Sequence, residues 1–251
     1  MRILITGIAG TWGVEFTKQL LLEDHEIVGI DRDEKCVADF RRKYPTIKVV
    51  VDDFDKFNFK DQDIELVIHL AAYKHIDLCE TNIPSVIENN IIKTVRFYEK
   101  IAKAGAKILY VSTDKAVCPY SAYGQTKALG EKLTWYYGGQ VARSGNIIGS
   151  RGSVINIWEE AIKENRPIKV TDMEMQRYFI KVEDAIRVSW EGYKRGDKLI
   201  IVDTGGHQKI RDIIIKLLDK YGKMIDSYPI EIIGKRPGER LIDEIRWETE
   251  K

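Results

Sequence analysis

The segment ILITGIAGTWG, residues 3–13, joins a short apolar run to a glycine-rich turn, and apolar residues then recur at helical spacing over residues 14–22. This order predicts a strand, a tight turn and a helix. Glycines at such a junction let a pyrophosphate approach main-chain N–H groups at the positive end of the helix. The candidate contacts are Gly7, Gly10, Thr11, Trp12 and Gly13. A glycine-rich loop without a ligand is the alternative, because short glycine patterns also arise by chance.

Strand and helix patterns alternate beyond this turn. Continuous apolar runs predict strands at residues 26–30, 47–51, 66–71 and 107–111, and helical patterns cover residues 33–44, 84–104 and 121–137. Alternating strands and helices form right-handed crossovers, which produce a parallel sheet covered on both faces. The sequence therefore predicts an α/β fold with a doubly wound parallel sheet.

The alternation is expected to break down beyond Gly138, where a second, smaller region begins. Helices are predicted at residues 154–164, 182–193 and 210–221, and short strands at residues 168–170, 199–202 and 231–233. We divide the chain into a dinucleotide-binding domain, residues 1–143, and a small substrate-binding region, residues 144–251, which returns strands or helices to the main sheet. A region this short is expected to bury little core of its own and to form one wall of a cleft.

Composition excludes several classes of function. The 251 residues include 40 Lys plus Arg and 39 Asp plus Glu, a net charge of +1, so there is no overall positive field for nucleic acid or an anionic membrane. The 44% hydrophobic content is enough for a large core. No apolar run approaches the roughly 18 residues of a membrane span, which predicts a cytoplasmic protein. Three cysteines without CxxC spacing and four histidines without metal-ligand spacing predict neither a disulfide framework nor a metal site.

Two carboxylates after predicted strands are candidate contacts for a dinucleotide. Asp31 ends the second strand, where a carboxylate accepts hydrogen bonds from the adenosine ribose and repels a 2′-phosphate, so it favours NAD. Arg32 next to it would pair with that phosphate and keeps NADP open. Asp53 and Phe54 follow the third strand and are candidates for the adenine edge, with a solvated turn as the alternative.

A second polar cluster follows the fifth strand. Thr113, Asp114 and Lys115 come first, and Tyr123 and Lys127 open the next helix. Residues four apart lie on one helix face, so this tyrosine and lysine both reach one ligand in the crevice at the carboxyl end of the sheet. We expect Lys127 and a positive nicotinamide ring to lower the pKa of Tyr123, so that its phenolate acts as a base.

Seven stretches, in this order, carry a family resemblance: TGIAGTWG, VIHLAAYKHID, STDKAV, YGQTK, RSGNIIGSRGSV, TDMEMQRYFI and GKRPGERL. Together they resemble the extended short-chain dehydrogenases/reductases, and within that superfamily the polysaccharide-biosynthesis branch of UDP-N-acetylglucosamine 4,6-dehydratases. The resemblance runs from residue 1 to about residue 245 and implies a Rossmann-type sheet. It also implies a tightly bound NAD or NADP and a UDP-sugar substrate.

The resemblance implies a role for each residue of the second cluster. Tyr123 would take the proton of the sugar C4 hydroxyl, Thr113 would bind O4 and Lys127 would hold the cofactor ribose. Lys115 would remove the C5 proton and Asp114 would protonate the leaving C6 hydroxyl. The product would be a 4-keto-6-deoxy sugar for surface glycan synthesis.

The resemblance also implies further ligand contacts. Leu70, Ala71 and Ala72 would line the cofactor site, and six residues are candidates for the sugar nucleotide: Lys74, His75, Asn146, Arg151, Arg177 and Arg236. A UDP-hexose 4-epimerase and a non-catalytic nucleotide-binding module remain alternatives. We also expect a homo-oligomer, for which the helix at residues 84–104 is a candidate interface through Val86, Ile87, Ile91, Val95 and Phe97, although these side chains equally fit a core.

Overall fold

The computed structural model describes residues 1–150, 153–202 and 205–247. Its strands are β1 (Arg2–Thr6), β2 (Glu26–Asp31), β3 (Lys48–Val51), β4 (Leu66–His69), β5 (Lys107–Thr113), β6 (Gln140–Ser144), β7 (Asn146–Ile148), β8 (Ile168–Val170), β9 (Gln176–Lys181), β10 (Leu199–Val202), β11 (His207–Lys209) and β12 (Ile230–Ile232). Its α-helices are α1 (Thr11–Leu21), α2 (Glu34–Lys43), α3 (Ile76–Thr81), α4 (Ile83–Ile87), α5 (Lys93–Ala104), α6 (Ala122–Tyr136), α7 (Val154–Lys163), α8 (Val182–Arg195) and α9 (Ile210–Lys220). A π-helical turn spans Glu88–Ile92, and 3₁₀ turns span Phe54–Lys56 and Asp114–Ala116.

The central sheet has seven strands in the order β10-β6-β5-β4-β1-β2-β3, and every neighbouring pair is parallel. The chain builds outward from β1 to β3 on one side and then from β4 on the other. This change of direction leaves a crevice between the carboxyl ends of β1 and β4, where open α/β sheets bind ligands. The predicted doubly wound parallel fold is confirmed.

Successive side chains of β1 point to opposite faces of the sheet and pack into a hydrophobic core on each face. Ile3 and Ile5 face a cluster that includes Phe16 and Trp190, whereas Leu4 faces the opposite cluster, which includes Phe97. Because all three strand residues have no exposed surface, β1 is buried on both sides, as its uninterrupted apolar sequence predicts.

The main sheet continues past Gly138, where the sequence pattern had suggested a break. Strand β6 pairs with β5, and β10 pairs with β6 in turn, so a strand from far along the chain completes the sheet. Gly138 has a positive φ of 73° and turns the chain from α6 into β6. Strand β6 was missed because it is short and three of its five residues, Gln140, Arg143 and Ser144, are polar. The predicted loss of regular alternation begins after it, where β7 follows β6 without a helix between them.

The C-terminal region also builds smaller sheets. Strands β11, β9 and β7 form one, and β12 and β8 form another. Between them lies a third buried cluster: Trp158, Ile162, Ile168, Val170, Met175, Ile210, Ile213, Ile214, Leu217 and Leu218. The expectation that this region buries little core of its own was therefore wrong. Three amphipathic elements, α7, α9 and β8, combine to bury it.

The predicted helix over residues 84–104 is interrupted. Short helix α3 occupies the stretch expected to be a loop, and the π-helical turn separates α4 from α5. Of the side chains proposed for an oligomer interface, Val86, Ile91 and Phe97 are buried in the protomer, and Ile87 is 44% exposed. The core interpretation holds for the three buried residues, and the homo-oligomer stays a prediction.

A cavity of about 860 Å³ lies between the carboxyl end of the main sheet and the C-terminal region. The turn after β1 and the ends of β4 and β5 form one wall, and residues of α7, β8 and β9 form the other. In the part of the chain that the structure describes, no helix is both long and apolar enough to span a bilayer. The same residues contain no cluster of potential metal ligands.

Candidate active site

The turn after β1 leaves its backbone open to the cavity. Gly7 has a positive φ of 69°, and a Cβ added there would lie 3.3 Å from the amide nitrogen of Ala71. Gly10 precedes the first residue of α1, and both glycines line the cavity with Thr11 and Trp12. A phosphate here would face main-chain N–H groups at a helix N-terminus without side-chain obstruction.

Gly13 serves packing. A Cβ at this position would lie 2.3 Å from the carbonyl oxygen of Ile8, so no side chain fits between α1 and the turn. Gly13 is buried and is not among the described residues that line the cavity. The absence of a side chain at Gly13 therefore lets α1 pack closely against the turn, and a contact of Gly13 with a cofactor stays a prediction.

The loop after β4 is fixed to β1 by one hydroxyl group. Thr6 Oγ1 accepts hydrogen bonds from the amides of Leu70 and Ala71, each at 3.1 Å, and lies 2.8 Å from His69 Nδ1. Burial lowers the pKa of His69 to about 3, so this imidazole is neutral and structural. Leu70, Ala71 and Ala72 consequently line the cavity on a fixed backbone.

Asp31 and its neighbours lie at the far end of the same cavity. Asp31 Oδ2 accepts from the amide of Ala9 at 3.1 Å, and Oδ1 accepts from the amide of Asp33 at 3.1 Å. These bonds hold the carboxylate beside the glycine turn. Arg32 donates to Asp53 Oδ1 at 3.1 Å and lies over the ring of Tyr73.

Asp53 is held by two cations. Lys93 donates to Asp53 Oδ2, and this bond together with the one from Arg32 holds the pKa of the carboxyl below its usual value. Asp53 and Phe54 both line the cavity next to Arg32. Arg32 is thus already paired with a carboxylate where a 2′-phosphate would bind.

Thr113, Asp114 and Lys115 occupy the end of β5 and the 3₁₀ turn that follows. Thr113 Oγ1 donates to Asp114 Oδ1 at 2.8 Å, and Lys115 Nζ donates to the same oxygen at 2.9 Å. Lys115 Nζ also donates to Asn146 Oδ1 at 3.2 Å and to Asp243 Oδ2 at 3.3 Å. The lysine is therefore the centre of a polar cluster contributed by three separate parts of the chain.

The side chain of Asp114 is fully buried next to Thr113 and Lys115. Its side chain has no exposed surface, and its Oδ2 is a buried oxygen with no hydrogen-bond partner among the described residues. Burial raises the pKa of Asp114, and the neighbouring Lys115 ammonium opposes this rise. Thr113 and Lys115 line the cavity on either side, but Asp114 is not among the described lining residues.

Lys115 is cationic in this arrangement. Burial alone would lower the pKa of Lys115, but the carboxylates of Asp114 and Asp243 more than offset burial and raise the pKa above its ordinary value. A cation cannot accept a proton, so Lys115 must lose its proton before it acts as a base.

Helix α6 presents Tyr123 and Lys127 one turn apart. Ser121 caps the helix by accepting from the amide of Gly124 at 3.0 Å, and the added Cβ of Gly124 would lie 2.2 Å from the carbonyl oxygen of Lys115. The start of α6 therefore lies directly against the 3₁₀ turn that contains Lys115. Tyr123 and Lys127 both line the cavity.

The protein alone does not activate Tyr123 in the way the sequence suggested. Burial raises the pKa of Tyr123 to about 12, and Lys115 is the cation that opposes this rise. Lys127 donates to the Val111 carbonyl oxygen at 2.6 Å and lies over the Tyr110 ring, and burial lowers its own pKa to about 7. Lys127 is not among the groups that shift the pKa of Tyr123 in the chain alone, and the joint effect expected of Lys127 and a positive nicotinamide stays a prediction.

The candidate substrate residues divide into three groups. Lys74, His75, Asn146 and Arg236 line the cavity. Arg151 lies outside the described residues. Arg177 also touches the cavity, but its guanidinium donates to the carbonyl oxygens of Arg240 at 2.6 Å and Leu241 at 3.1 Å, and its Nε lies 3.1 Å from Asp243 Oδ2. In this structure the Arg177 guanidinium therefore binds the C-terminal segment, and its contact with a diphosphate stays a prediction.

Sequence reasoning missed Asp243. It lies 128 residues beyond Lys115 and follows the last motif, so no spacing connects the two. Only the fold brings this carboxylate to the cavity, where it is 4% exposed.

Comparison with known proteins gives one family and several relatives. The family described as "Polysaccharide biosynthesis protein" matches residues 3–251. The "Uncharacterized membrane protein MJ1061" of Methanocaldococcus jannaschii is 32% identical over 99% of this chain and 81% of its own length. A "UDP-N-acetylglucosamine 4,6-dehydratase (inverting)" of Campylobacter jejuni is 30% identical over 96% of this chain and 75% of its length. A "UDP-glucose 4-epimerase" of Rickettsia bellii is 31% identical over 95% of this chain and 75% of its length.

Other relatives are longer, and solved structures share the fold. The chain spans 44% of the "Probable polysaccharide biosynthesis protein EpsC" of Bacillus subtilis, with which it is 31% identical over 97% of its own length. The X-ray structure of Pen from Bacillus thuringiensis superposes with a TM-score of 0.85 at 27% identity, covering 96% of this chain and 80% of that one. DesIV of Streptomyces venezuelae, a dTDP-glucose 4,6-dehydratase with NAD and TYD bound, gives 0.83 at 20% identity, covering 98% and 88%.

Proposed function

The chain belongs to the polysaccharide biosynthesis protein family of extended short-chain dehydrogenases/reductases, and from this premise we propose that it is a nicotinamide-dependent enzyme that removes water from a UDP-hexose. The product is a 4-keto-6-deoxy sugar nucleotide, formed from UDP-N-acetylglucosamine or a related UDP-sugar for surface glycan synthesis. One observation carries the proposal: Thr113, Tyr123, Lys127 and Lys115 line the same cavity as the glycine turn.

The residues around the glycine turn fit a dinucleotide. The absence of side chains at Gly7 and Gly10 leaves room for a pyrophosphate against the N-terminus of α1, because the neighbouring backbone is already within 3.3 Å of an added Cβ at each position. Asp31 would bind the adenosine ribose, and Asp53 and Phe54 would face the adenine. NAD is favoured over NADP because Asp31 supplies negative charge and Arg32 is already paired with Asp53.

Gly7, Gly10, Asp31 and Lys127 would hold a nicotinamide dinucleotide, whose chemistry would be to take up a hydride at C4 of the sugar and to supply one at C6. The protein supplies the proton transfers. Tyr123, as phenolate, removes the O4 proton while Thr113 holds O4, and Lys127 holds the nicotinamide ribose. Burial raises the pKa of Tyr123 to about 12, Lys115 opposes this rise, and a positive nicotinamide beside the tyrosine would favour the phenolate further.

The C4 ketone makes the C5 proton acidic, and elimination then needs a base and an acid. A shift of one proton along the 2.9 Å hydrogen bond from Lys115 Nζ to Asp114 Oδ1 creates both, a neutral amine and a carboxylic acid. The amine takes the C5 proton, and the acid protonates the C6 hydroxyl, which leaves as water. Protonation of C5, with the hydride that the cofactor would supply at C6, would complete the product without net oxidation.

A UDP-hexose 4-epimerase is the second candidate, and the position of Asp114 favours it. Epimerisation needs the C4 step alone, which Thr113, Tyr123 and Lys127 supply from the cavity wall. Asp114 must turn toward the cavity before it can protonate a substrate oxygen, because its side chain has no exposed surface. The relatives include enzymes named for each reaction.

Mass spectrometry after chromatography that resolves UDP-N-acetylglucosamine from UDP-N-acetylgalactosamine separates the candidates. Incubation with UDP-N-acetylglucosamine and no added cofactor is expected to give a product lighter by one water, and Tyr123→Phe is expected to lower the rate by about 10²–10⁴-fold. Conversion to UDP-N-acetylgalactosamine at unchanged mass would identify the epimerase. Binding without any conversion over long incubation would identify a non-catalytic module and overturn the proposal.

A further inference from the structure

A C-terminal strap, residues 236–247, lies along β9 and closes one side of the cavity. The amide of Gln176 donates to the Leu241 carbonyl oxygen at 2.9 Å, and Gln176 forms a parallel bridge with Ile242. The guanidinium of Arg177 adds the bonds to Arg240 and Leu241 described above. The strap is thus attached to a strand of the C-terminal region along several consecutive residues.

The strap carries one buried carboxylate into the catalytic cluster. Asp243 Oδ2 lies 3.3 Å from Lys115 Nζ and 3.1 Å from Arg177 Nε. Its backbone carbonyl oxygen lies 2.5 Å from His207 Nε2 on β11. One carboxylate therefore joins the catalytic lysine to β9, while a second contact fixes the backbone of the strap.

The charged and titratable groups that face Lys115 come from four elements. Asp114 lies on its own turn, Tyr123 on α6, Arg177 on β9 and Asp243 on the strap. The two carboxylates favour the ammonium form of Lys115, and Arg177 opposes it. Asp243 also disfavours ionisation of Asp114, so it acts on both partners of the proton shift. Removing its charge would favour loss of the Lys115 proton and would also make Asp114 a weaker acceptor of that proton.

We propose that Asp243 is a positioning residue, which fixes the Lys115 amine at the cavity wall and keeps it protonated until the sugar has been oxidised at C4. The strap is then part of the active site, although it lies 128 residues from the lysine in sequence. The inference rests on the proposed function in one respect: Lys115 acts as the base of the elimination.

The test compares Asp243→Asn, which keeps the shape and removes the charge, with Asp243→Glu, which keeps the charge. Glu244→Gln is the matched control, because Glu244 is an exposed carboxylate on the same strap. The elimination rate is measured against pH by loss of water from the sugar nucleotide. The C4 oxidation step is measured separately by the absorbance of the reduced nicotinamide.

In Asp243→Asn, the acid limb of the pH–rate profile for elimination is expected to move to lower pH by about 1–3 units. The reason is that the negative charge that favours the Lys115 ammonium at this distance has been removed. The maximal rate should fall at least tenfold, since the amine is less well placed. C4 oxidation should change less than threefold, and Asp243→Glu should restore the pH limb. An unmoved limb, or equal losses in both steps, would identify a merely structural carboxylate and overturn the proposal.

A second readout does not depend on turnover. Competitive acetylation of lysines, read by peptide mass spectrometry, reports the neutral fraction of Lys115. Acetylation of Lys115 is expected to rise about tenfold or more in Asp243→Asn and to stay unchanged in Glu244→Gln. Hydrogen exchange at the Gln176 amide shows whether the strap remains attached. Unchanged acetylation, or a rise accompanied by loss of Gln176 protection, would overturn the inference even if the wild-type enzyme proves to be an epimerase.

Discussion

The ammonium group of Lys127 is buried beneath β5, where Nζ donates to the Val111 carbonyl oxygen at 2.6 Å and lies 3.9 Å from the centre of the Tyr110 ring. Neither partner carries a full negative charge, and Lys127 is 4% exposed. Burial consequently lowers its pKa from 10.5 to about 7. In the absence of a ligand, protonation of Lys127 therefore destabilises the folded state.

Replacing Lys127 with methionine is therefore expected to stabilise the nucleotide-free protein at neutral pH. Between pH 7 and 10.5 the unfolded chain binds more protons at this position than the folded chain, so the wild type gains stability as pH rises. At pH 7 the Lys127→Met variant should be more stable by about 2–4 kcal/mol, and the difference should close toward pH 10.5. Urea unfolding at successive pH values measures it.

Lys132→Met is the matched control, since Lys132 is exposed on the same helix, α6. Its stability should differ from the wild type by less than about 0.5 kcal/mol at every pH. A Lys127→Met variant that is less stable at pH 7, or whose difference does not depend on pH, would show that the amine is compensated in the folded chain.

The carboxylate of Asp31 is expected to determine cofactor preference. It accepts hydrogen bonds from the amides of Ala9 and Asp33, which hold it beside the glycine turn, where the ribose of the proposed dinucleotide would lie. Asp31→Ser should shift the ratio of NAD to NADP affinity toward NADP by about tenfold to a hundredfold, because the repulsion of a 2′-phosphate is removed.

Isothermal titration with both dinucleotides measures this ratio. Asp39→Ser, at an exposed carboxylate on α2, is the control and should leave the ratio unchanged. An unchanged ratio in Asp31→Ser would assign the preference to Arg32, which is paired with Asp53.

Residue chemistry could be predicted from sequence where it depends on local spacing. Tyr123 and Lys127 are four apart on a predicted helix, and both line the cavity. Their pKa values could not be predicted, because burial by distant elements raises one and lowers the other. Asp243 was invisible for the same reason, since its contact with Lys115 is created by tertiary structure alone.

At the scale of single elements, the approach of α1 to the first turn depends on Gly13. Its added Cβ would lie 2.3 Å from the Ile8 carbonyl oxygen and 2.5 Å from the Ile8 Cα, and backbone atoms cannot rotate away as a side chain would. Gly13→Ala should therefore move α1 outward. The expected loss of stability is about 1–3 kcal/mol, together with weaker dinucleotide binding because the helix N-terminus recedes from the pyrophosphate.

Urea unfolding and dinucleotide titration measure the two effects of Gly13→Ala. Gly205→Ala is the control, because among the described residues other than its chain neighbours no heavy atom lies within 4 Å of its added Cβ, and its φ is not positive. This variant should match the wild type in both measurements. A Gly13→Ala protein with wild-type stability would mean that α1 tolerates the displacement.

The π-helical turn between α4 and α5 illustrates what an amphipathic pattern cannot predict. Residues 84–104 have continuous helical character in the sequence, yet the backbone widens at Glu88–Ile92. The wide turn brings buried Asn90 to the loop after β4, where its side chain accepts from the Tyr73 amide at 2.8 Å and donates to the Tyr73 carbonyl oxygen and to Thr126 Oγ1. The interruption is explained by these tertiary contacts, because Asn90 connects the loop after β4 to α6.

At the scale of the whole molecule, the two predicted regions share their core. Strand β10 pairs with β6, and Trp190 of α8 joins the cluster that contains Phe16 of α1. Arg143, which has no exposed surface, pairs with Glu131 at 2.7 Å and donates to the Ile245 carbonyl oxygen at 3.1 Å. Arg143 thus connects α6 of the first region to the end of the strap. The boundary drawn at residue 143 therefore lies inside a buried set of contacts and not in a linker.

The full chain is therefore expected to unfold in one transition, and residues 1–143 alone are not expected to fold cooperatively. The fragment would leave β6 as an exposed edge and would uncover the face of α1 that packs on α8, so much of the first region's apolar surface would meet water. Circular dichroism reports the main sheet and its helices. Fluorescence of Trp158, which lies in the separate core of the C-terminal region, reports that region when the other four tryptophans are replaced by phenylalanine. We expect the two probes to give the same urea midpoint in the full chain and the fragment to show no cooperative transition. Separated midpoints, or a fragment that folds cooperatively, would show that the two regions are independent domains.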